Sequence, residues 1–140
     1  MRKLLAIPLT LAVCGLIVAG SALAANKTIT VKMNGRQETP KGSPTGSGTA
    51  KITLEPSKGK VCFRLTWSGI GSPTASHIHK GARGKAGNIV VALFGNPPAK
   101  HSGCVSAKKS LVSAIAKTPG AYYVNIHTKR YPAGAIRGQL

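Results

Sequence analysis

Short runs in which apolar and polar residues alternate, bounded by glycine and proline, restrict the fold of this chain most strongly. In the clearest run, YYVNIH at residues 122–127, Tyr122, Val124 and Ile126 fall on one side. A period of two residues is typical of a β-strand with one buried face. Similar runs occur at residues 28–33, 49–54, 61–67, 76–79 and 89–94. These runs predict a domain built from short strands.

One segment has helical spacing instead. Residues 106–117 place Leu111, Ala114 and Ile115 on one face of a helix, and a Pro-Gly pair follows. Residues 25–140 are enough for one domain. We therefore predict an all-β fold, a single-domain antiparallel sandwich or partly closed barrel of about seven strands with one short helix.

A short sequence pattern occurs twice along the chain. An Ile-His pair, a loop of six or seven residues and a Gly-X-Ile triplet occur at residues 78–89 and again at 126–136. Glycine in such loops marks turns between strands. The repeat predicts two similar hairpins that lie side by side in the domain.

The first residues have the features of a signal peptide that is removed. Two basic residues precede an apolar run at residues 4–18, and Ala-Leu-Ala at 22–24 is a small-residue cleavage site. We expect residues 25–140 to be secreted or periplasmic, with no transmembrane segment after cleavage.

Two cysteines, Cys62 and Cys104, remain after that cleavage. An even number of cysteines in an exported chain predicts a disulfide. It would close a loop of about forty residues and stabilise the fold by roughly 3–4 kcal/mol on the chain-entropy model.

Positive charge dominates the composition. Residues 25–140 hold eighteen of the twenty lysines and arginines, against two glutamates and no aspartate, a net charge of about +16. Such a field favours an anionic surface, a polyanion or an extracellular protein as partner, without specific nucleic-acid recognition. The alternative, adaptation to an acidic environment without any such partner, stays open.

The candidate binding residues lie in loops. They are Lys80, Arg83, Lys85, Lys129, Arg130 and Arg137. The glycine-rich stretch at 81–87 allows a phosphate cradle, but no Walker motif follows, which favours an ordinary basic hairpin loop. We expect Tyr122, Tyr123 and Tyr131 near the surface and His101 in an exposed loop.

The shortage of carboxylates argues against an enzyme. A Ser-His-Asp triad cannot form without aspartate, and a glycosidase pair would require Glu38 and Glu55, each alone in its part of the sequence. We predict no enzymatic activity.

Three histidines form the candidate metal site. His77 and His79 are two apart on a predicted strand, so their rings leave the same face with Cα atoms about 6.5–7 Å apart. His127 adds a third imidazole if the two hairpins are adjacent. Imidazole-only sets suit copper or zinc. The interpretation favoured from sequence is structural, with neutral rings hydrogen-bonded to backbone carbonyls and no cofactor.

Several stretches together resemble the chordin-type (CHRD) domain family. They are TASHIHKG at residues 74–81, YVNIHT at 123–128, IRGQL at 136–140 and, at the opening, QETP at 37–40. The resemblance implies an extracytoplasmic β module; in chordin such domains belong to an extracellular binder of growth factors. The sequence differs at Ala135, where the family usually has glutamate, which puts in doubt a salt bridge or ligand role there.

Overall fold

The computed structural model describes residues 25–95 and 99–140. The predicted signal peptide, residues 1–24, lies outside the described residues. The strands are β1 (Lys27–Asn34), β2 (Ser47–Glu55), β3 (Lys60–Ser68), β4 (Pro73–Lys80), β5 (Asn88–Gly95), β6 (Ser102–Ser106), β7 (Tyr122–Thr128) and β8 (Ile136–Gln139). The helix α1 is Lys109–Lys117, and short 3-10 turns span Gly35–Gln37, Pro56–Lys58 and Pro119–Ala121.

The eight strands form one sheet in the order β5-β4-β7-β8-β1-β2-β3-β6. Every pairing is antiparallel. The two edge strands, β5 and β6, approach each other, so the sheet curls into a nearly closed barrel. The predicted all-β class and the barrel alternative are thereby confirmed.

Alternate residues of the strands fill the barrel. Strands β2 and β3 bury every second side chain, as their sequence period requires. Fully or almost fully buried apolar side chains include Ala50, Ile52, Leu54, Val61, Phe63, Leu65, Val124 and Ile126. Helix α1 packs against β2 and β3 through Val112 and Ile115.

The segment before the helix differs from the sequence prediction. The sequence predicted a helix from residue 106 and no strand just before it, but in the structure β6 pairs with β3 and the helix begins at Lys109. Gly103 lets β6 lie close to the ring of Phe63, since a Cβ there would be 3.1 Å from the ring. A short strand with glycine at its inward position has no alternating apolar pattern to reveal it.

The two predicted hairpins are adjacent, as the Ile-His repeat indicated. Strand β4 pairs with both β5 and β7, and β7 pairs with β8. The expectation that Tyr122 and Tyr123 lie near the surface is wrong, because both are buried at 5% and 3% exposure. Tyr122 belongs to the core, whereas Tyr123, on the other face of β7, is covered by the 81–87 loop and by Arg137.

The predicted disulfide is present. Cys62 and Cys104 are bonded across β3 and β6, where they lie directly opposite each other in the register. The structure therefore joins an edge strand covalently to the sheet. Among residues 25–95 and 99–140, no helix is long and apolar enough to span a membrane.

Replacing both cysteines with serine should lower the free energy of unfolding by about 3–4 kcal/mol, because the bond restricts the unfolded chain. The two residues are 42 positions apart in sequence. Urea unfolding of the Cys62→Ser/Cys104→Ser variant measures the loss, and reduced wild-type protein should show the same value. A loss under about 1 kcal/mol would contradict the entropic account.

Candidate functional site

The structure brings the three candidate histidines together. His77 and His79 lie on β4, on the side opposite to the buried Ile78, and His127 lies on the adjacent strand β7. One candidate ligand nitrogen from each histidine lies within 4.8 Å of the other two. The ring centroids of His77 and His127 are 4.9 Å apart. The adjacency of the two hairpins therefore assembles an imidazole cluster.

A backbone carbonyl oxygen and the hydrogen bond between the two rings determine the tautomers of His127 and His77. Nδ1 of His127 is 2.9 Å from the carbonyl oxygen of Pro132, which can only accept, so this nitrogen carries the proton. Nε2 of His127 is then the acceptor, and Nδ1–H of His77 donates to it at 3.1 Å. This chain of hydrogen bonds leaves Nε2 of His77 with a lone pair.

A carbonyl also orients His79. Its Nδ1 donates to the carbonyl oxygen of Gly87 at 2.9 Å, in the loop that joins β4 to β5. Nε2 of His79 lies 3.1 Å from Oδ1 of the buried Asn125. The ring stacks on Tyr123 with centroids 4.7 Å apart and an interplanar angle of 5°. The carbonyl bonds expected from sequence are present at His79 and His127, and the rings nevertheless converge.

Two rings of the cluster, His77 and His127, favour the neutral form. Burial lowers the pKa of His77 to about 4, with a smaller effect from the neighbouring His127 and His79. Burial also lowers the pKa of His127, although its bond to Pro132 acts in the opposite direction. At pH 7 these two rings therefore carry lone pairs.

The prediction that Arg137 is a binding-loop residue is wrong. Arg137 is 1% exposed, and its guanidinium donates to the carbonyl oxygens of Lys85 and Ala82, both at 2.8 Å. It also donates to Oε1 of Gln139 at 3.0 Å and lies 3.3 Å from the ring centroid of Tyr123. The guanidinium thus binds the 81–87 loop to β7 and β8. It can do so because the side chain of Arg137 leaves β8 on the face that this loop covers.

Glu38 is a buried carboxyl group, and its burial was not predicted from the sequence. It is 4% exposed, and its Oε1 has no hydrogen-bond partner in the described part of the chain. The carboxylate lies against Gly134, where φ is +139° and a Cβ would collide with it. Burial raises the pKa of Glu38 to about 7, and the positive charge of Arg137 opposes the shift. The carboxyl group thus lies beside Gly134, the residue before Ala135, where the resemblance to the CHRD family implies a glutamate.

The remaining basic loop residues lie at two ends of the barrel. Lys80, at the start of the 81–87 loop, pairs with Tyr122, whereas Thr128, next to Lys129, pairs with Pro73 at the far end of the same ladder. All five are exposed: Lys80, Arg83, Lys85, Lys129 and Arg130.

The 81–87 loop turns its backbone inward. Gly81 N–H donates to Ala121, Lys85 N–H to Ala82, and Gly87 N–H to the hydroxyl of Tyr123. A phosphate cradle needs free N–H groups, so the geometry favours the alternative interpretation, a basic hairpin loop.

A groove lies beside the basic loop that follows β7 and contains Lys129 and Arg130. Its volume is about 1130 Å³, and Trp67, Ile70, Lys129, Arg130 and Tyr131 contribute to its lining. His101 is exposed as expected, but it also stacks on Trp67 with centroids 3.9 Å apart. Sequence reasoning missed this groove because its residues come from four separate parts of the chain.

Comparison with known families gives one result. The family model described as CHRD domain matches residues 29–140 of the chain. No curated protein and no solved structure matched it. The match covers both histidine-bearing hairpins and the turn that carries Glu38.

Replacing Arg137 with methionine should lower the free energy of unfolding by roughly 3 kcal/mol, because the buried carbonyl oxygens of Lys85 and Ala82 lose the charged donor that they share. Arg83→Met is the matched control. Arg83 is exposed and contacts Gln37 only at 3.4 Å, so its change should stay within about 0.5 kcal/mol. Equal effects of the two substitutions in urea unfolding would contradict the assigned role of Arg137.

The carboxyl of Glu38 should make the fold less stable as pH rises. The pKa of Glu38 is about 7 in the folded protein and 4.5 ordinarily, so the folded state binds the proton more tightly than the unfolded state. The stability gained from this proton is lost as pH rises from 4.5 to about 7. Relative to Glu38→Gln, wild-type stability should fall by about 3 kcal/mol over that window.

Urea unfolding at pH 4.5, 6 and 7.5, with chelator present, measures this difference. Glu55→Gln removes the other carboxylate, which pairs with Lys58 at 2.9 Å on the surface. The difference in unfolding free energy between Glu55→Gln and wild type should not show the pH dependence that is expected for Glu38→Gln. A wild-type advantage over Glu38→Gln that grows with pH would refute the raised pKa.

Proposed function

Because the chain belongs to the CHRD domain family, we propose that it is a secreted or periplasmic, non-enzymatic binding module that engages an anionic surface through its basic side chains. The family supports a binding role. The nature of the partner is inferred from the charges described below.

The distribution of charge carries the proposal. Of the eighteen lysines and arginines in residues 25–140, all but Arg137 are exposed. Both carboxylates already have positive neighbours, since Glu38 is buried near Arg137 and Glu55 pairs with Lys58. The outer surface is therefore positive with almost no compensating charge, which favours a polyanion.

The spacing of the basic residues fits an extended partner. The two basic loops lie at opposite ends of the β4–β7 ladder, about 25 Å apart for strands of this length. On the barrel's outer face, Lys51 of β2 lies directly opposite Arg64 of β3. A small anion cannot contact positions so far apart, whereas a membrane surface or wall polymer can.

Export is supported by the disulfide. A bond between Cys62 and Cys104 is stable in an oxidising compartment and rare in the cytosol. Together with the signal-like residues 1–24, this supports a location outside the cytoplasm.

A non-enzymatic role is supported by the position of the two glutamates. Glu55 ends β2, whereas Glu38 follows β1 near Asn34, which pairs with the first residue of β2. They lie at opposite ends of one hairpin, so they cannot act as a catalytic pair.

Vesicles containing phosphatidylglycerol provide the test. The protein should bind them and not vesicles of phosphatidylcholine alone, and affinity should fall steeply as salt rises from about 50 to 500 mM. Absence of binding at low salt, or binding unaffected by salt, would refute the proposal.

Charge-matched variants identify the contact. Replacing Lys80, Arg83 and Lys85 with glutamine should weaken binding roughly 100-fold, at about 1 kcal/mol for each lost charge near the surface. The control replaces Lys60, Lys108 and Lys109, which removes the same charge around the turn between β2 and β3. A smaller effect of the control assigns binding to the 81–87 loop, and equal effects indicate that net charge alone acts.

A further inference from the structure

The spacing of the three histidines is close to that of a metal site. Ligand nitrogens at about 2.0–2.1 Å from a tetrahedral ion lie about 3.3–3.4 Å from one another. Nδ1 of His77 and Nε2 of His127 are already 3.1 Å apart, and all three candidate nitrogens lie within 4.8 Å. Side-chain shifts of about 1 Å would bring them to a common centre.

Two of the rings are held as metal-binding histidines usually are. A coordinating histidine donates its other N–H to a carboxylate or a backbone carbonyl, which fixes the ring and raises its basicity. The carbonyls of Gly87 and Pro132 accept from Nδ1 of His79 and His127, each at 2.9 Å. Nε2 of each ring is therefore left as the coordinating atom.

The surroundings of His79 offer a further ligand. Nδ1 of His79 faces the carbonyl oxygen of Gly87, and its Nε2 lies 3.1 Å from Oδ1 of Asn125. An ion bound by Nε2 would therefore lie close to this oxygen, which could serve as a fourth ligand.

We propose that His77, His79 and His127 bind one copper ion. The ion would replace the hydrogen bond between His77 and His127, and the proton of His77 would move from Nδ1 to Nε2 without any change of charge. Imidazole ligands without a carboxylate suit copper and zinc better than magnesium or calcium, and Cu(II) binds more tightly than Zn(II) at a given set of such ligands.

This site is distinct from the basic surface in its response to salt. The net charge repels a cation, so salt should strengthen copper binding by screening that repulsion, whereas it weakens contact with an anionic surface. His77 is only half-buried and provides the route by which the ion enters. Copper binding therefore does not depend on the proposed function.

The test is titration of untagged, chelator-treated protein with Cu(II) against glycine as a competing ligand. We expect one copper per chain, nitrogen hyperfine structure in the electron paramagnetic resonance spectrum, and weaker competition by Zn(II). His77→Gln/His127→Gln should lose at least about 100-fold in affinity because two ligands are gone. His101→Gln, which alters the remaining histidine, should retain the wild-type affinity.

A second measurement uses the unaltered protein, so it does not depend on folding of the variant. Substoichiometric Cu(II) should broaden the imidazole NMR signals of His77, His79 and His127 and leave that of His101 sharp. Lack of stoichiometric binding, or broadening that spares the three clustered rings, would overturn the proposal.

Discussion

The buried guanidinium of Arg137 is the interaction on which the histidine cluster depends. It donates to two carbonyls of the 81–87 loop and lies on the ring of Tyr123, which in turn stacks on His79. The loop that Arg137 holds carries Gly87, whose carbonyl accepts from His79. The orientation of one candidate ligand is therefore set by an arginine more than fifty residues away in sequence.

Burying this arginine also explains how the chain uses its two carboxylates. A buried cation is costly unless it is paired and fully hydrogen-bonded. Glu38 supplies a buried carboxylate near it, and Gly134 provides the space, because a side chain there would collide with that group. Glu55 pairs with Lys58. The interior thus takes one of the two carboxyl groups, and the outer surface is left strongly basic.

The sequence predicted the parts of this structure that repeat a local pattern. Alternation located most strands, and the repeated Ile-His pair placed His79 and His127 on neighbouring strands. Arg137 was misassigned because charge on a strand is ordinarily a sign of exposure, and nothing local shows that a loop fifty residues earlier covers it. Tyr123 was misassigned for the same reason, since a period of two marks one buried face and cannot show that the second is covered.

Long-range proton–nitrogen NMR correlations of the imidazoles, recorded on metal-free protein at neutral pH, test most directly whether loop carbonyls orient this cluster. The structure predicts that His79 and His127 each carry their proton on Nδ1, facing Gly87 and Pro132. Protons on Nε2, or a rapidly exchanging mixture of both forms at these two rings, would contradict it.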